Sequence, residues 1–129
     1  MTSAPQTVIR RLVPGDEDVI RALAEGAPRT ALLSDDDTIF LVAFDGERPV
    51  GFAFGYVLPR RHGNATMLFV YEIDVDEGYR RQGIGTRLLQ ELISGHDEAF
   101  VLTEPDNDAA NALYESVGGQ RVDAVMWDF

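Results

Sequence analysis

Hydrophobic and polar positions along this chain fall into blocks whose period switches between about two and about 3.6 residues. Residues 7–13 (TVIRRLV) alternate as a strand does, and Pro14-Gly15-Asp16 breaks the run. Asp16 takes the N-cap position of a short helix over residues 16–25, with Val19, Ile20, Leu23 and Ala24 turned inward. Residues 27–37 read as a shorter helix running into an acidic loop. A hairpin follows: residues 38–45 (TIFLVAFD), an Asp45-Gly46 turn, and a return strand over residues 49–58 (PVGFAFGYVL). After a polar loop, residues 65–76 (ATMLFVYEIDVD) predict a third long strand. The period then lengthens. Residues 82–94 place Ile84, Leu88, Leu89, Leu92 and Ile93 on one helical face, and residues 107–117 do the same with Ala110, Leu113, Tyr114 and Val117. Between them residues 99–103 (AFVLT) read as a short buried strand. Gly118-Gly119 ends the last helix, and residues 120–129 (QRVDAVMWDF) read as a final strand. The pattern predicts one α+β domain over residues 1–129, with a mixed sheet of about six strands and helices on its faces.

Composition narrows the chemistry. The 129 residues include no cysteine, which excludes a disulfide framework, a zinc ribbon and a thiol nucleophile. All 11 basic residues are arginine, so a Walker-type GKS/GKT loop and a Schiff-base lysine are excluded as well. With 22 acidic residues the formal net charge is −11, which repels nucleic acid and anionic membranes and attracts cations. No apolar run approaches the ~20 residues that span a bilayer, and the first residues lack the apolar stretch of a signal peptide. A cytoplasmic location is the expectation. His62 and His96 stand alone without metal-ligand spacing; no role is assigned to them and no metal is expected.

Two adjacent segments carry the candidate chemistry. In a regular strand Leu68, Val70, Glu72, Asp74 and Asp76 share one face, which turns from apolar to acidic halfway along. Carboxylates inside a strand are costly unless they are paired or used. Glu72 and Asp74 are the functional candidates, and Asp76 reads as the strand leaving the core. Directly after comes an island of positive charge, residues 80–87 (RRQGIGTR), where a loop becomes a helix. Unsatisfied N–H groups at a helix start, glycines that admit close approach and flanking guanidinium groups together make a phosphate cradle.

Arg80, Gly83 and Gly85 form an R-x-x-G-x-G pattern. It resembles the acetyl-CoA pyrophosphate loop of the GNAT N-acetyltransferases. Asn107, Ala110, Leu113 and Tyr114, followed by Gly118, are similar to that family's second signature, N-x-x-A-x-x-L-Y with a terminating glycine. Gly119 departs from it, since the family usually carries Phe there. The likeness extends over essentially the whole chain. A narrower similarity, to the short aminoglycoside 3-N-acetyltransferases, rests on YVLP, the Tyr71-Glu72 pair, RRQGI and the VM near the C-terminus.

The resemblance implies a mixed, mostly antiparallel sheet flanked by three to four helices, with acetyl-CoA as co-substrate. It implies direct transfer of the acetyl group to an amine through a tetrahedral intermediate, the 3-amino group of an aminoglycoside being the expected acceptor. Backbone N–H groups of Gln82, Gly83, Ile84, Gly85 and Thr86 would hold the pyrophosphate, with charge from Arg80 and Arg81. Backbone groups of Ile73 and Val75 would hold the pantetheine and the thioester carbonyl. Asn107 would touch the pantetheine arm, although it also suits a helix N-cap. Tyr114 would protonate the departing thiolate, although its position also suits core packing. Glu72 is the first candidate for the base and Asp74 the second; the 3-N subgroup tends to have a small residue at position 74. Tyr56 would wall the acceptor site, and Asp123, Asp128 and the acidic residues 34–37 would draw in the cationic amine. Small members of the family suggest a homodimer by analogy. Two other readings stay open: an acetyltransferase for another small amine, a polyamine or a peptide N-terminus, and a non-catalytic sensor that binds acetyl-CoA.

Overall fold

The fold is described from a computed structural model, which covers residues 6–24 and 27–129. Five strands form one sheet in simple sequential order: β1 (Thr7–Arg11), β2 (Thr38–Asp45), β3 (Arg48–Pro59), β4 (Thr66–Val75) and β5 (Ala99–Val101). The first four are antiparallel neighbours and β5 joins β4 in parallel. Helix α1 (Glu17–Leu23) follows β1, α2 (Ile84–Ile93) bridges β4 and β5, and α3 (Asp108–Ser116) follows β5. The α+β class, the mixed sheet and the three helices agree with the expectation from the sequence; the number of strands is five.

Two cores lie on the two sheet faces. On one, Ile84, Leu88, Leu89 and Leu92 of α2 pack against Leu41, Ala43, Val50, Ala53, Leu68 and Val70. Each buried leucine or isoleucine of α2 contributes roughly 1.5–3 kcal/mol, which anchors the helix and fixes where its first turn points. On the other face Ile20 of α1, Leu12 and Leu33 pack against Phe40, Val42, Phe44 and Phe54. Asp16 stands at the N-cap of α1 but does not cap it. Its carboxylate instead accepts from the Val13 N–H at 2.8 Å and from Arg10 at 2.9 Å, tying the helix start back to β1. The far end of the predicted helix, at Glu25, lies outside the described residues.

Three expectations are corrected. Residues 27–37 form only a 3-10 turn, Thr30–Ser34, because a single side chain there, Leu33, is buried and the following aspartates favour a turn. The segment 99–103 is a three-residue strand on the sheet edge, and its Ala99 and Phe100 are exposed rather than buried. Residues 120–129 are not a strand: all ten are exposed. A strand needs a hydrogen-bonded neighbour, and among the described residues no strand pairs with this segment.

Candidate active site

A β-bulge sets the site. Gly55 of β3 pairs with Val70 and Phe54 pairs with Glu72, so Tyr71 is an extra residue in β4. Gly55 is required there, since a Cβ on it would stand 2.6 Å from the Phe69 carbonyl oxygen. The extra residue reverses the alternation. Leu68 and Val70 face α2, and past the bulge Ile73 and Val75 continue that face. Glu72 and Asp74 therefore pair with Phe54 and Phe52 on the opposite side of the sheet. The expectation that Glu72 and Asp74 share a face with Leu68 and Val70 fails for this reason.

On that opposite side the aromatic rings form a continuous band. Tyr71 lies 5.3 Å from Phe54, 5.4 Å from Tyr56 and 5.9 Å from Phe69, and Phe69 stacks on Phe100 at 4.8 Å. Helix α1 covers the β2–β3 part of the band, whereas Tyr71 is 58% exposed. Tyr71 was not among the predicted site residues; its signal was the Tyr-acid pair that precedes the cradle. Burial, the neighbouring Tyr71 and the Asp35 carboxylate raise the Tyr56 phenol above its ordinary pKa, with Glu72 adding to the effect and Arg29 opposing it. Tyr56, Tyr71, Glu72 and Asp35 are thus electrostatic neighbours: an aromatic corner rimmed by carboxylates. Asp123 and Asp128 do not join it. They sit on the exposed segment 120–129, which makes no hydrogen bond, ion pair or ring contact with other described residues.

The strand edge beyond the bulge is open. Pairing between β4 and β5 ends at Val70 and Val101, while β4 runs on to Val75 beside β3 alone. The Asp76 N–H points to β3, donating to Val50 at 2.8 Å. Alternation turns the peptide groups of Ile73 and Val75 the other way, into the gap where β5 diverges. There the Val75 N–H donates to Asp74 Oδ1 at 2.9 Å, and the Val75 carbonyl accepts from Arg80 Nε at 2.8 Å. Asp74 also meets the Arg80 guanidinium at 3.4 Å, so it braces the loop into α2 rather than facing the aromatic corner.

That loop ends in a free helix start. Arg81 has a positive φ of 65° and Gly83, the N-cap of α2, one of 81°. No side chain caps the helix, and its first intrahelical bond is Arg87 N–H to Gly83 O. The N–H groups of Gly83, Ile84, Gly85 and Thr86 precede that bond and have no helical acceptor. Arg80 and Arg81 are exposed beside them, and Gln82 reaches back to the Gly78 carbonyl at 3.5 Å. Arg87, the last member of the basic run, instead holds β1 through Thr7 at 2.8 and 3.1 Å. Donors without acceptors, two exposed arginines and glycines at positions 83 and 85 suit a diphosphate, and the exposed peptide edge of β4 suits an amide-bearing arm.

Asn107 caps α3: its side-chain oxygen accepts from the Ala110 N–H at 3.1 Å. Asn111 secures the same loop by donating to Glu104, Pro105 and Asn107 carbonyls. Tyr114 is half-buried in a groove of about 470 Å³ shared with Val70, Leu89 and Val101. Burial raises its phenol above the ordinary tyrosine pKa, so the hydroxyl keeps its proton through the neutral range. Gly119 cannot carry a side chain on this backbone, because a Cβ would stand 2.7 Å from the Tyr114 carbonyl oxygen. Among the described residues no group of His, Cys, Asp or Glu could hold a metal, and no helix is long and apolar enough to cross a membrane.

The chain is 48% identical over 82 residues to the N-alpha-acetyltransferase RimI of Mycobacterium tuberculosis (60% of this chain, 51% of the relative). It is 36% identical over 84 residues to an L-2,4-diaminobutyric acid acetyltransferase of Halalkalibacterium halodurans (60% and 42%). It thus spans about half the length of these curated relatives. Its fold matches that of an aminoglycoside acetyltransferase from an uncultured soil sample, solved with sisomicin, at a TM-score of 0.83 and 22% identity, over 95% of this chain and 94% of that one. The family model for the acetyltransferase (GNAT) family matches residues 10–119, most of the chain, and the protein belongs to that family.

Proposed function

We propose that this chain is an N-acetyltransferase that moves the acetyl group of acetyl-CoA to a primary amine of an aminoglycoside, the 3-amino group being the expected position, and that residues 1–129 act as one acetyltransferase domain. The observation that carries the reading is the bulge at Tyr71. It separates two functions of one strand: Ile73 and Val75 offer their peptide edge beside the cradle of α2, while Tyr71 and Glu72 turn to the opposite face.

Acetyl-CoA supplies an activated two-carbon unit. The N–H groups at the start of α2, with Arg80 and Arg81, hold its diphosphate; Asn107 lies at the N-terminus of α3 for the pantetheine arm. Of the edge groups, the Ile73 and Val75 N–H are the donors for the carbonyl oxygen. The Val75 N–H exchanges its bond to Asp74 for that contact. Glu72 takes the proton from the attacking amine, directly or through water, as the carbon–nitrogen bond forms. The carbon–sulfur bond breaks and the Tyr114 hydroxyl gives its proton to the sulfur. Asp74, bonded to Arg80, serves the cradle and stands second to Glu72 as base. Tyr56, Tyr71 and the nearby carboxylates receive the cationic acceptor by cation–π and charge attraction.

The solved relative bound to sisomicin supports an aminoglycoside acceptor. A second reading has its own support: the relative at 48% identity is an N-alpha-acetyltransferase, which favours the α-amine of a peptide. A thiol-release assay decides between them, with gentamicin-type aminoglycosides, 2,4-diaminobutyrate and short peptides as acceptors. The aminoglycoside reading expects the highest kcat/KM on the polycations, falling steeply as salt is added because steering by a −11 chain is screened. Turnover on peptides alone would replace it with the second reading, and no thiol release with any amine would remove both.

A further inference from the structure

The turn that makes the cradle is costly and weakly held by its own residues. Arg81 has a φ of 65°, a left-handed conformation that side chains disfavour, and Gly83 has one of 81°. No side chain caps α2, and the bond from Gln82 to the Gly78 carbonyl is long at 3.5 Å. Such a conformation persists where surrounding contacts impose it. The residues that bound the turn, Tyr79 before it and Arg87 after it, both reach to one place on the sheet.

That place is a cross-strand pair. Thr7 of β1 and Asp45 of β2 stand opposite each other in the sheet register. Ahead of the cradle the Tyr79 hydroxyl donates to Asp45 Oδ2 at 2.6 Å. Behind it Arg87 donates to the Thr7 hydroxyl at 2.8 Å and to the Thr7 carbonyl at 3.1 Å. These bonds join residues 34 and 80 positions apart, so the register of β1 on β2 brings both acceptors together. Arg48, the partner of Asp45 across the β2–β3 turn, strengthens the first anchor. Its guanidinium lies 5.7 Å from the centre of the Tyr79 ring and 3.9 Å from the Asp76 carboxylate. The bond to Asp45 raises the Tyr79 phenol above its ordinary pKa, so the hydroxyl remains a donor through the neutral range. A loop fixed at both ends has less freedom to lose when a ligand arrives, and affinity rises accordingly.

On the acetyl-CoA reading of the cradle, we propose that Tyr79–Asp45 and Arg87–Thr7 are positioning contacts: they bracket residues 80–86 against one cross-strand pair and so hold the N–H groups of Gly83, Ile84, Gly85 and Thr86 in place for the diphosphate. None of the four side chains touches the ligand. Their effect falls on the diphosphate and leaves the pantetheine arm, which lies along β4, and the transfer step alone.

Calorimetric titration of the full chain with CoA and with pantetheine, which carries the arm without the diphosphate, separates the two parts of the ligand. Tyr79→Phe keeps the ring beside Arg48 and removes only the hydroxyl. Arg87→Met keeps the apolar stem and removes both donors. Each should weaken CoA binding about tenfold, leave pantetheine within about twofold, and raise KM for acetyl-CoA with kcat nearly unchanged. Asp45→Asn, which still offers an oxygen to Tyr79, should restore most of the affinity that Asp45→Ala loses. Three results would each overturn the bracket: CoA affinity unchanged in either Tyr79→Phe or Arg87→Met; CoA and pantetheine weakened alike with a fall in Tm, which makes the contacts structural only; and Asp45→Asn no better than Asp45→Ala. In these cases the acetyl-CoA reading stands, provided the unaltered chain binds CoA more tightly than pantetheine. Equal binding of the two by the unaltered chain would mean that no diphosphate is held at α2, and the reading and the bracket would fall together.

Discussion

Gly85 separates stability from cofactor binding in a single substitution. It is the second residue of α2, and a Cβ built on it stands 3.8 Å from Leu113 Cδ2 and 3.8 Å from Val75 Cγ2, ordinary contact distances. Its φ is not in the left-handed region. Gly85→Ala therefore removes backbone freedom from the unfolded chain without a clash. The gain for glycine to alanine in a helix is about 0.5–1 kcal/mol, the lower half applying to a first-turn position. For a domain of this size that raises Tm by about 2–4 °C. The same methyl stands beside Leu113 of α3 and Val75 of β4, on a residue whose own N–H belongs to the proposed cradle. Lengthening one charge-assisted hydrogen bond to a diphosphate costs about 1.5 kcal/mol, so KM for acetyl-CoA should rise about tenfold with kcat nearly unchanged. Differential scanning calorimetry and a thiol-release titration of acetyl-CoA measure the two sides. Gly78→Ala is the control for the cofactor side: Gly78 has open space around its Cβ position and no positive φ, so Tm should rise by a similar amount while KM for acetyl-CoA stays unchanged. An unchanged KM in Gly85→Ala would mean that no diphosphate approaches this backbone. A fall in Tm would mean that the space beside Leu113 and Val75 is not there.

The bulge predicts the opposite sign at Gly55. Gly55→Ala puts a methyl 2.6 Å from the Phe69 oxygen and should cost about 1–3 kcal/mol of stability in urea unfolding; a neutral result would refute the close approach. Tyr114→Phe should lower kcat by about 10²–10⁴-fold while leaving the affinity for CoA near normal. Because burial raises the Tyr114 pKa, the wild-type chain should hold its kcat past the ordinary tyrosine value and lose it only as pH rises further; Tyr114→Phe should lack that alkaline limb. Tyr71→Ala removes an exposed ring from the acceptor corner, so acceptor KM should rise about tenfold in steady-state assays with little change in Tm. Asp16 has a lowered pKa, first through its bond from Arg10 and then through the Val13 N–H, so its contribution is present above the ordinary carboxyl value and lost as pH falls through the lower folded value. Asp16→Asn should cost about 1 kcal/mol at neutral pH and flatten the acid side of the stability curve measured by denaturant titration.

Features that depend on one stretch of chain were legible in the sequence, and features that depend on pairing were not. The buried face of α2 follows from the spacing of Ile84, Leu88, Leu89 and Leu92 alone, and the cradle from glycines placed where the loop becomes that helix. The face of Glu72 cannot be found by counting along β4. Alternation from Leu68 put it over the α2 core, and the structure puts it opposite, because a glycine on another strand lets Tyr71 slip out of register. A trace of this was present: an isolated glycine inside a strand pattern, Gly55, often marks a bulge. It did not say which partner residue would be extruded. Residues 120–129 fail for the same reason in a stronger form. Their alternation is real, yet the β5 edge that would accept a sixth strand stays unpaired in the single chain. Asp123 and Asp128 were expected at the acceptor site on their charge; they sit on this exposed segment, which has no hydrogen-bonded strand neighbour among the described residues. Backbone donors are set by local conformation, whereas the reach of an acidic side chain is set by which strand its own strand pairs with. On the proposed reading, the acetyl-donor side can therefore be read from one sequence, while the acceptor side depends on the register between β3 and β4.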